Sequence, residues 1–129
     1  MMRALAFLLM ALALTLVACG GGGGGSPASG NADRGKTLVS DKQCITCHKI
    51  SAIPASASAT IGPPLDGIGN TAATRKSGMA ADAYIRESIK DPNAFIVPGF
   101  PGPPSPMILP VPVNDNETND IVAYLLTLK

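Results

Sequence analysis

The sequence predicts a small all-α fold of about three main helices joined by long loops. Apolar residues recur at helical spacing in three stretches, roughly 32–42, 81–90 and 115–128. The stretches between them, 51–74 and 98–112, are too rich in Pro, Gly, Ala and Ser for regular helix or an inner strand. Apolar residues make up 46% of the 129 positions, yet there are only two Tyr, three Phe and no Trp. So few large side chains build a thin core in a domain of this size. A flat apolar body for the loops to wrap would fill it, and long non-repetitive loops need some such reason to be ordered.

Taken from its start, the chain opens with a short positive leader, Met1-Met2-Arg3, followed by a nearly unbroken apolar run from Ala4 to Val17. That run is short for a bilayer, which needs about 20 residues, and suits a signal peptide over residues 1–18. Leu16-Val17-Ala18-Cys19 resembles a bacterial lipobox, which makes Cys19 the expected lipid attachment site. Residues 19–30 then read as a tether: six glycines, Gly20 to Gly25, run on into Ser26-Pro27-Ala28-Ser29-Gly30. Such a segment spans about 17–20 Å on average and reaches nearly 40 Å when taut. The folded domain is expected over residues 31–129.

Within that domain the first helix is expected over 32–42, with Asn31 as N-cap and Leu38 and Val39 facing inward. The second, over 81–90, groups Tyr84, Ile85, Ser88 and Ile89 on one face and stops at Asp91-Pro92. The third, over 115–128, follows Asn114 and Glu117, which are spaced as a capping box, and carries Ile121, Val122, Leu125 and Leu128 as its stripe.

The chemistry sits just after the first helix. Cys44-Ile45-Thr46-Cys47-His48 reads as a c-type haem attachment site. Two thiols at this spacing can add to the two vinyl groups on one edge of a haem, leaving the next imidazole under the iron. A structural zinc site would want four Cys or His ligands, and no second pair exists. A thioredoxin-like pair would want a strand–helix–strand setting. With Cys19 assigned to lipid, none of the three cysteines is left for a structural disulfide.

His48 is the only histidine, which excludes a second one from the same chain as iron ligand. Once the leader is removed, Met79 and Met107 are the methionines that remain. Met107 lies in a loop stiffened by prolines, which can hold a thioether over a haem face at low entropic cost. Met79, just ahead of the second helix, is better placed for packing. Met107 is therefore the expected sixth ligand, with Met79 the alternative.

From about Asn31 to Lys129 the chain resembles the class I cytochromes c, small bacterial monohaem forms in particular. It is also similar to the cytochrome c domain of haem-copper oxidase subunits. The likeness is carried by Gly35, the haem motif, Gly62-Pro63-Pro64-Leu65, Tyr84-Ile85-Arg86-Glu87-Ser88-Ile89, Asp91-Pro92-Asn93-Ala94, Met107 and Asp120-Ile121-Val122-Ala123-Tyr124-Leu125. It implies a cytochrome c fold around one covalent haem c. Gly35 would let the first helix cross the last closely near Tyr124. The Pro63 carbonyl would accept a hydrogen bond from the free ring nitrogen of His48, and Leu65 would pack on the haem. One departure is that Met107 is followed by Ile108-Leu109-Pro110, where many relatives have Pro at once.

Ligation by His48 and Met107 leaves no open position for substrate, so the expected function is single-electron transfer between extracytoplasmic or membrane-bound redox partners, not catalysis. Oxidase or reductase complexes are the partner class, with the chain a monomer or a complex subunit. The rival reading is a haem enzyme or gas sensor with an open or displaceable sixth site. Loss of Arg3 with the leader lowers Lys plus Arg from 10 to 9, against 9 Asp plus Glu. A neutral domain offers no basic field for nucleic acid.

Overall fold

The structure is a computed structural model that describes residues 29–100 and 107–129. Four α-helices follow in order: α1 (Ala32–Asp41), α2 (Ile68–Arg75), α3 (Ala81–Lys90) and α4 (Asp115–Leu125). Single 3-10 turns lie at Cys44–Thr46 and Pro54–Ser56, and the described residues contain no strand. The leader, Cys19 and the glycine run lie outside the described residues.

Both expected caps form. The Asn31 side chain accepts the Arg34 N–H at 2.9 Å. At α4, Glu117 N–H donates to Asn114 Oδ1 at 3.0 Å while Asn114 N–H donates to the Glu117 carboxylate at 2.9 Å. This reciprocal pair satisfies donors that the helix cannot. Regular α4 ends at Leu125, short of the predicted Leu128; Thr127 and Leu128 donate instead to the carbonyls of Tyr124 and Leu125, a tightened final turn.

Helix α2 corrects the expectation that residues 51–74 form no regular helix. The prolines and most glycines of that stretch lie before Ile68. From Ile68 onward no proline interrupts, and Ile68 and Ala72, one turn apart, are buried. Gly67 turns the chain into the helix with φ 71°, where a side chain would be strained. Averaging composition over the whole stretch hid this eight-residue helix.

Two close approaches lock the helices together. A Cβ on Gly35 would lie 2.0 Å from the Asp120 carbonyl oxygen and 2.8 Å from Tyr124 Cβ, so α1 crosses α4 at backbone contact. Gly30 likewise rests on the Asn119 backbone, where a Cβ would come within 2.1 Å of its oxygen. Packing thus begins one residue before Asn31, inside the segment read as tether. Beside this crossing, the buried Asp120 carboxylate accepts the Asn31 N–H at 2.7 Å and is ion-paired to the Arg34 guanidinium.

The core between α1, α3 and α4 is mainly aliphatic: Val39, Ile85, Ile121, Val122 and Leu125 are almost fully buried, as are Tyr84 and Tyr124. Each aliphatic side chain contributes about 1.5–3 kcal/mol through loss of apolar surface to water. The loop from Ile50 to Asp66 has no helix but is tied internally. Ser56 Oγ accepts the Ile50 N–H, and its single hydrogen serves the carbonyls of Ile50 and Ile53, all at 2.8 Å. Asp66 accepts both the N–H and the hydroxyl of Ser51 at 2.8 Å.

Candidate functional site

A cavity of about 430 Å³ opens between the end of α1, the tied loop, α3 and the segment before α4. Cys44, Cys47 and His48 stand on its wall together with Pro63, Leu65 and Met107. Met79 does not line it; its half-buried side chain packs against the core elsewhere. Of the sites predicted from sequence, only Cys19 falls outside the described residues.

The chain holds the His48 ring from two sides. Gly62 N–H donates to the Cys47 carbonyl at 2.8 Å and Leu65 N–H to the Lys49 carbonyl at 2.9 Å, so residues 62–65 run beside residues 47–49. Their proximity puts the Gly62 backbone on the imidazole, where a Cβ would lie 2.4 Å from Cε1 and 2.6 Å from Nδ1. Nδ1 itself is 2.8 Å from the Pro63 carbonyl oxygen. A carbonyl can only accept, so Nδ1 carries the hydrogen and Nε2 keeps its lone pair. Burial lowers the His48 pKa, only partly offset by the Pro63 hydrogen bond, and favours this neutral form. A neutral imidazole with a fixed tautomer is what metal ligation requires.

The two motif cysteines are not joined to each other, and burial raises the Cys44 pKa. The rest of the wall is overwhelmingly apolar, with Tyr84 set edge-on to Phe95 at 5.9 Å between ring centres. Among the described residues the wall carries two cations, Lys42 and Arg75, and no carboxylate. Lys42 is engaged with Glu117 at 2.8 Å and with the Pro112 carbonyl at 2.9 Å. Ile61 and Ile108, the exposed large aliphatics of the described residues, both border this cavity. A large apolar group carrying acidic substituents would suit this wall, with Ile61 and Ile108 to cover, Arg75 to balance its charge, and two cysteines and an imidazole to hold it.

The family model for cytochrome c matches residues 32–129. The chain belongs to the cytochrome c family. No curated relative matches it. As a cytochrome c it carries haem c, bound covalently through the motif Cys44-Ile45-Thr46-Cys47-His48. The family assignment makes the chain a haem-binding electron carrier and accounts for its thin aromatic content, since the helices are completed by the haem.

Several residues that shape this cytochrome's site had no sequence signal. Arg75 sits at the end of a helix that composition concealed. Ser56, one small residue in a loop rich in them, ties the turn from Ile50 to Ser56 that follows the haem motif. Gln43, on the cavity wall beside Cys44, has φ 60° and ψ 22°. It is the sole non-glycine residue with positive φ among those described.

Proposed function

We propose that this cytochrome passes single electrons between extracytoplasmic or membrane-bound redox partners, and that His48 Nε2 and Met107 Sδ are its two axial iron ligands. The observation that carries this reading is that His48, with its tautomer fixed, shares one cavity wall with Met107 but not with Met79. The haem supplies a one-electron iron couple, whose potential thioether ligation raises. The chain supplies the rest. Pro63 orients His48 and strengthens it as a donor, Leu65 and the aliphatic wall exclude water, and the proline-rich segment presents Met107. With both axial positions filled from the chain, no site remains for substrate.

Residues 16–19 support a lipid-anchored protein held through Cys19 on the extracytoplasmic face of a bacterial membrane, where oxidase or reductase complexes are the partner class. No helix among the described residues is long and apolar enough to cross a membrane.

The deciding experiment is a spectrum of the oxidised protein. It is expected to show the weak near-infrared charge-transfer band of thioether-to-iron(III) ligation. Met107→Ala should erase the band, lower the potential and open the iron to carbon monoxide. Met79→Ala should keep the band and cost about 2 kcal/mol of stability, the low end for truncating a core methionine. An unmutated protein that lacks the band and binds carbon monoxide readily is a haem enzyme or sensor, and the proposal fails.

A further inference from the structure

Gln43 separates α1 from the attachment turn, and its backbone is left-handed, a conformation that side-chain-bearing residues avoid and glutamine has no special means to tolerate. The last regular bond of α1 is from Lys42 N–H to the Leu38 carbonyl at 2.8 Å, and at Gln43 the step tightens, its N–H donating to the Ser40 carbonyl at 2.9 Å. Directly after it, Thr46 N–H bonds the Gln43 carbonyl at 3.1 Å, and both Cys47 and His48 N–H bond the Cys44 carbonyl at 3.2 and 3.0 Å. The attachment turn is therefore a separate hydrogen-bonded unit, joined to α1 through Lys42 and Gln43.

Had α1 continued instead, the motif would face the wrong way. Val39 points into the cavity. In an uninterrupted helix His48 would come about two and a half turns later, roughly 180° round the axis from Val39. Cys44 would be rotated from Val39 by roughly 140°. In the structure Val39, Cys44, Cys47 and His48 all line one cavity. The left-handed residue is the reorientation that makes this possible.

We propose that Gln43 is a positioning residue for haem attachment, its left-handed backbone aiming Cys44 at the vinyl group it must reach. The inference rests on covalent haem c and is independent of the identity of the sixth ligand. In the attachment step each thiol adds S–H across one vinyl C=C: sulfur bonds to one carbon, the hydrogen goes to the other, and no electron acceptor is needed. Cys44, one residue from the hinge, is the thiol whose aim depends most on it. Cys47 lies beyond the first turn and is held by its own bond to the Cys44 carbonyl.

The test is the number of thioether bonds in purified holoprotein. It is read by alkylating free thiols, mapping them by peptide mass, and recording the pyridine haemochrome spectrum. Glycine enters the left-handed region without strain, whereas a β-branched residue resists it. Gln43→Gly should keep both thioethers and unfold at a temperature no lower than the unmutated protein. Gln43→Val should leave Cys44 alkylatable in a several-fold larger fraction of molecules, with the haemochrome band moved toward that of a haem retaining one vinyl group. If Gln43→Val yields no holoprotein, Gln43→Thr, β-branched and polar, is measured in the same way. A β-branched variant that loses only thermal stability, with both thioethers formed at the unmutated proportion, overturns the proposal. So does a variant in which Cys47 is the thiol set free.

Discussion

Glycine at position 62 is required by a contact, not by a turn. The imidazole of His48 occupies the space a side chain would need, with 2.4 Å from the would-be Cβ to Cε1 and 2.6 Å to Nδ1. Neither neighbour can yield easily: the ring is rigid, and the Gly62 backbone is bonded to the Cys47 carbonyl. Gly62→Ala should therefore push the loop off the ring and lengthen the Nδ1 bond to the Pro63 carbonyl. Denaturant unfolding of the holoprotein should show a loss of about 1–3 kcal/mol, as for an overpacked core. Voltammetry should show a displaced reduction potential, because the hydrogen bond that sets the donor strength of His48 has changed. A variant with unchanged stability and potential would mean that the loop gives way without cost. The contact between the Pro63 carbonyl and His48 was expected from the resemblance to the class I cytochromes c, whereas the Gly62 contact with the ring was not.

At the scale of elements, the crossing of α1 and α4 depends on Asp120 as well as Gly35. Its carboxylate is buried, bonded to the Asn31 N–H and paired with Arg34. The Arg34 hydrogen bond is the main cause of a lowered Asp120 pKa, with burial opposing it. A carboxylate whose pKa is depressed on folding adds stability above its unfolded value, near 3.9, and loses that contribution as pH falls through the lower folded value. Melting temperatures of the holoprotein should thus fall steeply as pH drops below about 4. Asp120→Asn should melt lower than the unmutated protein at neutral pH, and the gap should close in acid. A gap that stays constant from neutral pH into acid would assign the effect to packing alone. Helix ends at this crossing were readable because caps are local chemistry. Helix α2 was not readable, since what selects it is burial of Ile68 and Ala72 beneath the rest of the chain.

At the scale of the whole molecule, charge bears on how it would meet the proposed partners. Nine acidic and nine basic residues lie beyond residue 18, so long-range steering is weak. If Cys19 bears lipid, each buried methylene adds about 0.8 kcal/mol of membrane affinity. Cys19→Ala should then move the holoprotein from the membrane to the soluble fraction or block its processing, with the haem spectrum unchanged. Mass spectrometry of the native protein that finds Cys19 unmodified, or cleavage at another bond, would refute the anchor.

Chemistry confined to neighbours in the chain was determined by sequence alone. The spacing of Cys44, Cys47 and His48, the caps at Asn31 and Asn114, and the sole histidine bounding the ligand choices are all short-range or compositional facts. The tertiary structure decided what depends on distant segments meeting: Gly62 against the His48 ring, and Arg75 and Met107 on one wall with Met79 off it. The reason is physical. A hydrogen bond between residues three apart is available to the local chain, whereas a cavity wall exists only after loops far apart in sequence have been ordered against a common core.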